Sequence, residues 1–377
     1  MARIKVRNWQ IGREMYYPYE EFRPERQFAA VFDTNKCIAC QTCTMACKQT
    51  WTTGKGQEFM FWNNVESKPY GFYPLAWDVR ILELLGPQRW DGKRYAGKTI
   101  FEAAPKGMVT QGYLPEEDDY AYPNVGEDEP YGEVKNGDYI TIPHRVWHFY
   151  LPRICNHCTY PACLAACPRK AIYKRPEDGI VLVDQSRCRG YKECIRACPY
   201  KKVFFNRLTK ISEKCIGCYP LVEKGEQTQC IRTCIGRIRL NGWIHTPDRA
   251  DPSNPIDYLV HIKKVALPLF PQFGLEPNVY YIPPIHVPPA YLKQLFGPGV
   301  EDAIRTYRNA HNDETLLGVL TLFGSTEFWV SRYRVKDGAV TGYDMKGKAL
   351  VTVPIKEPVY IRPYYDERLD VYRHNIT

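Results

Sequence analysis

The chain has 377 residues, 44% of them apolar, enough for two domains and a packed core, which excludes a disulfide-stapled miniprotein. Its longest strongly apolar stretch, Leu316 to Phe323, falls far short of the roughly 20 residues that span a bilayer, so no transmembrane helix and no direct membrane span are expected. A formal charge of +9 would ordinarily point to nucleic acid or an anionic surface. The cysteines change that reading: 15 of them fall in four tight groups, and grouped thiols in an odd number point to metal instead of a complete disulfide set. The opening residues MARIKVRNWQIGREM show neither an apolar signal core nor an adjacent arginine pair, so any export is expected to depend on a partner.

In chain order, residues 1–60 read as an extension followed by a strand and turn over Gln27 to Lys36, which deliver the first group, Cys37-x2-Cys40-x2-Cys43-x3-Cys47. This is the spacing of a bacterial-ferredoxin cluster loop, in which three thiolates grip one iron-sulfur cube and the fourth serves a neighbour. Residues 61–147 lack cysteine, are rich in Tyr, Trp, Pro and Gly, and carry an acidic stretch from Glu116 to Asp138; they read as an inserted surface region, the acidity as a solvated loop. Residues 148–202 hold the second group, Cys155-x2-Cys158-x4-Cys163-x3-Cys167-Pro168, and the third, Cys188-x2-Tyr191-x2-Cys194-x3-Cys198-Pro199. Between them, Ala171 to Asp184 reads as a hairpin around Pro176-Glu177-Asp178-Gly179. Residues 203–245 begin with a strand-and-turn signal over Val203 to Lys214 and carry the fourth group, Cys215-x2-Cys218-x11-Cys230-x3-Cys234. From 246 to 377 the cysteines stop and Pro- and Tyr-rich runs such as Pro277 to Leu292 take over. They are expected to form no central strand and to make an arm that wraps a partner or packs on the cluster domain.

The second and third groups are an internal repeat. Cys155 recurs as Cys188 and Cys158 as Tyr191 at an offset of 33, and Cys163 and Cys167 recur as Cys194 and Cys198 at an offset of 31. Tyr191 therefore stands where a cysteine is missing, which explains the odd total. A phenol is a poor soft ligand beside three thiolates, so a [3Fe-4S] cluster is expected there; ligation through the phenol oxygen, or water on a fourth iron, are the competing readings. The enlarged loop of the fourth group is also compatible by itself with zinc. Three [4Fe-4S] clusters and one [3Fe-4S] cluster would together add about −8, so the basic excess reads as compensation for buried cluster charge. The bases flanking the clusters, Arg169, Lys170, Lys174, Arg175, Arg187, Arg189, Lys192, Arg196, Lys201, Lys202, Arg207, Lys210 and Lys214, are read as that compensation and as surface pairing, with no nucleic-acid partner. His157, inside the second group, reads as structural or as a donor to a cluster sulfur. A zinc-stabilised scaffold or nucleic-acid-binding module is the remote alternative for the whole chain.

Four cysteine groups with an aromatic residue replacing one cysteine of the third resemble the four-cluster beta subunits of molybdenum oxidoreductases related to dimethyl sulfoxide reductase. The segment Arg153 to Lys202 is similar to respiratory nitrate reductase beta subunits and closer still to nitrite oxidoreductase beta subunits, and Lys55 to Pro74 belongs to the same resemblance. Tyr191, the opening RNWQIGREMYYPYEE, and Cys47 in place of the aspartate of some members resemble the anammox type of nitrite oxidoreductase. The resemblance implies an α+β fold of two nested ferredoxin-like modules, the outer from the first and fourth groups and the inner from the second and third. It implies one [4Fe-4S] cluster on Cys37, Cys40, Cys43 and Cys234, a second on Cys47, Cys215, Cys218 and Cys230, and a third on Cys155, Cys158, Cys163 and Cys198. The [3Fe-4S] cluster falls to Cys167, Cys188 and Cys194 beside Tyr191.

The implied role is an electron wire with no catalytic residue of its own, between a catalytic alpha subunit carrying molybdenum-bis(molybdopterin guanine dinucleotide) that oxidises nitrite to nitrate and a haem-bearing gamma subunit or cytochrome acceptor. The same wire in a nitrate, selenate, chlorate or hydrocarbon oxidoreductase is the alternative. Export in the folded state with a twin-arginine-bearing partner to a periplasm-like compartment, the anammoxosome lumen for the anammox type, is expected, with the cytoplasmic side of a membrane as the alternative.

Overall fold

The structure, a computed structural model, describes residues 4–121, 147–355 and 363–374. The fold is mixed α/β, with many small sheets and short helices. Its centre is a four-stranded sheet in the spatial order Arg239–Ile244, Gln27–Asp33, Val279–Ile282, Leu267–Pro268. Gln27–Asp33 pairs antiparallel with Arg239–Ile244 and parallel with Val279–Ile282. Every residue of QFAAVFD is buried, and strand alternation sends its side chains to two different cores. Ala30 and Phe32 join the larger apolar cluster, which contains several of the cysteines, while Ala29 and Val31 join a second cluster on the opposite face.

The first and fourth cysteine groups are brought together at one end of two adjacent antiparallel strands of this sheet, where Arg239 pairs with Phe32. Gln27–Asp33 leads into the loop of the first group and its helix Thr42–Trp51, which packs on Gln229–Arg232 of the fourth group, just ahead of Arg239–Ile244. In the same way Ala162–Ala165, within the second group, packs on Glu193–Ala197 of the third. The hairpin expected over Ala171 to Asp184 is present as Ile172–Lys174 paired with Val181–Val183. The signal over Val203 to Lys214 is a full hairpin, Val203–Asn206 with Ile211–Lys214, that runs straight into Cys215.

Two expectations need correction. The cysteine-free region 61–147 is no surface insertion over its described part. Asn64–Lys68 pairs with Phe149–Arg153 at the entry to the second group, and Trp77, Ile81, Tyr95 and Phe101 are fully buried. The reason is electrostatic as well as apolar: buried Glu66 pairs with Arg153 and Lys68 and accepts from Trp77 Nε1 at 3.2 Å, while Lys68 also pairs with Asp78 at 2.8 Å. Removing one partner of such a network leaves buried charge uncompensated. Glu66→Gln is expected to cost about 3 kcal/mol or more, read as a lowered denaturant midpoint; a change near zero would show that the pairs contribute only to packing. The acidic stretch lies, from residue 122 to its end, outside the described residues.

The second correction concerns the proline-rich C-terminal part. Val279–Ile282, inside Pro277 to Leu292, is an inner strand of the central sheet and buried at every position. Proline is excluded from an inner strand because it cannot donate to the ladder. Here the prolines stop short of the strand: Val279, Tyr280, Tyr281 and Ile282 lie between Pro277 and Pro283, and all four keep their N–H groups. Residues 246–355 then cover the sheet's second face, where Ala29, Val31, Leu240, Tyr280 and Ile282 meet Ile256, Leu259, Val319, Val330 and Val340. A three-stranded sheet, Arg332–Lys336, Ala339–Tyr343 and Ala349–Pro354, and the helix Glu314–Thr321 complete that layer. An extended arm would have left this apolar face exposed. Among the described residues no helix is long and apolar enough to cross a membrane.

Candidate metal centres

All fifteen cysteines are free thiols. Among the described residues no three His, Cys, Asp or Glu side chains are placed to hold a single metal ion. The thiols nevertheless fall into neighbour sets, legible in the charges each one feels. Cys37 feels Cys43 and Cys234; Cys47 feels Cys215, Cys230 and Cys218; Cys158 feels Cys155, Cys198 and Cys163; Cys194 feels Cys167 and Cys188. The fold thus sets thiols of different cysteine groups side by side in the crossed arrangement, with Cys40 exposed in the loop of the first set.

The sets lie in a row. Cys230 of the second set feels Cys43 of the first, Cys215 of the second feels Cys155 of the third, and Cys163 of the third feels Cys194 beside Cys167 and Cys188. The two middle sets are buried throughout, whereas Cys37, Cys40 and Cys234 at one end and Cys167 and Cys188 at the other reach toward the surface. Cys47, Cys215, Cys218 and Cys230, with Trp51, Trp62 and Ile154, wall one small cavity. Cys155, Cys158, Cys163 and Cys198, with His157, Tyr200 and Val203, wall another.

The loops share a backbone feature that spacing alone did not reveal. Two residues after the first cysteine of each group, the chain enters the left-handed region, at Ala39 (φ 53°), His157 (φ 41°), Gly190 (φ 68°) and Gly217 (φ 61°). Such turns point successive N–H groups into a concavity suited to an anion. Thiols collect N–H donors as well: Ala171 N–H reaches Cys167 Sγ at 3.3 Å, Gly217 N–H reaches Cys215 Sγ at 3.4 Å, and Ser212 N–H reaches Cys188 Sγ at 3.5 Å. A cradle of this chemistry, soft thiols plus inward N–H groups, fits iron-sulfur clusters. A Cβ on Gly190 would come within 2.5 Å of the Lys210 carbonyl oxygen. Gly190→Ala is therefore expected to strain this loop by about 2 kcal/mol and to remove the EPR signal of the last centre selectively; an intact signal would show that the loop relaxes.

Burial pushes up the thiols of Cys194 and Cys215, each to about 12, and raises those of Cys158 and Cys163 as well. Cluster assembly must then expel thiol protons, and the resulting negative charge needs an answer. The basic flanks divide at this point. Arg169, Lys170, Arg187, Arg189, Arg207 and Lys210 are exposed, whereas Lys174, Lys201, Lys202 and Lys214 are buried. Burial pulls Lys174, Lys201 and Lys202 down to about 7, while Lys214, set among Cys155, Cys215 and Cys163, is shifted up despite burial. Lys214 Nζ donates to the Val181 and Cys215 carbonyls, the latter at 2.7 Å.

His157 is fully buried and accepts the Val181 N–H through Nδ1 at 3.1 Å. Its proton therefore sits on Nε2, which has no protein partner among the described residues and belongs to the wall of the third set's cavity. Tyr191 is 62% exposed, on the turn that opens helix Glu193–Ala197. Sequence reasoning missed Arg239, which follows the last cysteine by five residues and donates from Nη2 to Cys43 Sγ at 2.9 Å. A lone arginine opening a strand carries no motif.

Residues 146–243 match the 4Fe-4S dicluster domain family. The selenate reductase subunit beta of Thauera selenatis is 48% identical over 309 residues, covering 75% of this chain and 90% of that protein. The chlorate reductase subunit beta of Ideonella dechloratans is 47% identical over 313 residues, with the same shares. The chain belongs to the beta-subunit family of molybdenum oxidoreductases. The respiratory nitrate reductase subunit beta of Haloferax mediterranei, 44% identical over 313 residues, covers 75% of this beta subunit and 85% of its own length. This beta subunit is thus an iron-sulfur electron-transfer protein.

Proposed function

We propose that this beta subunit relays single electrons through three [4Fe-4S] clusters and one [3Fe-4S] cluster, from a molybdenum catalytic subunit oxidising nitrite to nitrate toward a haem-bearing subunit or cytochrome acceptor. The observation that carries the relay is the row of four thiol sets, buried in the middle and reaching the surface at both ends. Clusters on those sets would divide the two electrons released when nitrite and water give nitrate and two protons into one-electron steps. The chain's own residues do the rest. Trp51, Trp62, Ile154 and Val203 keep water from the middle sets, and Lys214, set among Cys155, Cys215 and Cys163, offsets charge taken into the interior. Three thiols beside an exposed Tyr191 support a three-iron centre at the far end. The packing of Thr42–Trp51 on Gln229–Arg232, and of Ala162–Ala165 on Glu193–Ala197, supports two nested ferredoxin-like modules.

Tyr191 and the opening RNWQIGREMYYPYEE support nitrite as the donor. The identities of 48% and 47% to selenate and chlorate reductase beta subunits favour a second reading, the same wire running toward an oxyanion reductase. Passage of the folded subunit to a periplasm-like compartment with a twin-arginine-bearing partner accompanies either reading. The test is acceptor reduction by the complex purified anaerobically from its source. Nitrite-dependent reduction is expected; a complex that instead consumes selenate or chlorate with a reduced donor, and takes no electrons from nitrite, would establish the second reading.

A further inference from the structure

Arg239 opens the strand Arg239–Ile244 and is 1% exposed. Its Nη2–H donates to Cys43 Sγ at 2.9 Å, its Nη1–H to Asn63 Oδ1 at 3.1 Å, and its guanidinium lies 4.5 Å from the centre of the Phe32 ring. Its Nε–H has no partner among the described residues, and no ion pair to a carboxylate is present there either. A guanidinium stays charged in a protein interior, and a buried cation without a counter-ion is strongly disfavoured. The groups that answer its charge are thiols: Cys43, Cys230, Cys234 and Cys37. Cys37, Cys43 and Cys234 belong to the first set, but Cys230, on the helix Gln229–Arg232 that packs against both Thr42–Trp51 and Arg239–Ile244, belongs to the second, and Arg239 acts on it by charge. One fixed positive charge therefore stands between two neighbouring sets.

We propose that Arg239 is a shared potential-setting residue, whose single guanidinium raises the reduction potentials of the first two clusters together. The inference rests on the relay reading and deepens it. Each reduction adds a negative charge, and a cation in a low-dielectric interior stabilises the reduced form of whatever lies beside it. Because the same charge faces both sets, it lifts both potentials together and leaves the step between them nearly unchanged. A cation bonded to one set alone would open a gap instead. Asn63 and the Phe32 ring hold the guanidinium plane, so Arg239 acts as a positioning residue that takes no electron itself.

The experiment is an EPR-monitored redox titration of the intact complex carrying Arg239→Gln, with iron counted in the same sample. The expected result is a fall in the midpoints of both the first and the second cluster, by at least tenfold in the oxidised-to-reduced ratio at fixed ambient potential, about 59 mV for a one-electron couple. The other two midpoints should stay in place. Arg239→Lys keeps the charge and loses the fork, so smaller shifts in the same direction at the same two clusters are expected; this variant carries the test if Arg239→Gln loses iron. Unchanged midpoints in an iron-replete variant, or a shift confined to one cluster, would overturn the assignment. A wild-type complex without EPR-active clusters would instead bring down the relay reading itself.

Discussion

Tyr191→Cys is expected to abolish the three-iron EPR signal of the oxidised beta subunit and to replace it with a four-iron centre that is EPR-active when reduced. The offset of 33 that carries Cys155 to Cys188 carries Cys158 to Tyr191, and the fold gathers Cys167, Cys188 and Cys194 at that end of the row. A thiolate at position 191 supplies the missing soft ligand. It also adds negative charge beside the centre, so the potential of this terminal cluster should drop. The side chain is exposed, so the substitution disturbs no packing and the folded chain is expected to survive it. An unchanged three-iron signal in the variant would show that Tyr191 does not mark the vacant corner.

Cys234→Ser and Cys47→Ser are expected to destroy different clusters from those their sequence positions suggest. Cys234 closes the fourth group, yet it stands by Cys37 and Cys43; Cys47 closes the first group, yet it stands by Cys215, Cys218 and Cys230. Loss of Cys234 should therefore remove the cluster with the exposed rim and leave the deeply buried second one, while loss of Cys47 does the reverse. Each loss removes up to four irons and one EPR signal, and the two variants label the signals needed for the titration of Arg239. If both variants lose the same cluster, the crossing is wrong.

The four cysteine groups were legible because they are written in short-range spacing, whereas the grouping of thiols from different groups was an implication of the family resemblance. The pairing of Ile172–Lys174 with Val181–Val183 followed from Pro176-Glu177-Asp178-Gly179 and its flanking β-branched residues. The strand at Gln27 followed from its apolar run. What stayed hidden depends on long-range pairing. Nothing local tells Val279–Ile282, hemmed by prolines, to lie parallel to Gln27–Asp33; that place is taken because the sheet's second face must be covered. Likewise Glu66, Lys68 and Arg153 are three ordinary charges in sequence, and only the pairing of Asn64–Lys68 with Phe149–Arg153 turns them into a buried network. The split of the flanking bases into exposed and buried ones was equally invisible, since composition counts charge without depth. Arg239 belongs to the same class: its partners Cys43 and Asn63 lie 196 and 176 residues away.

The central claim, four clusters on fifteen thiols, is tested most directly by counting iron and acid-labile sulfide per beta subunit in the anaerobically purified complex, after subtracting the iron of the other subunits. The account predicts about fifteen irons, three cubes and one three-iron centre, with about sixteen sulfides. A count near eight irons, or stoichiometric zinc in place of iron, would contradict it.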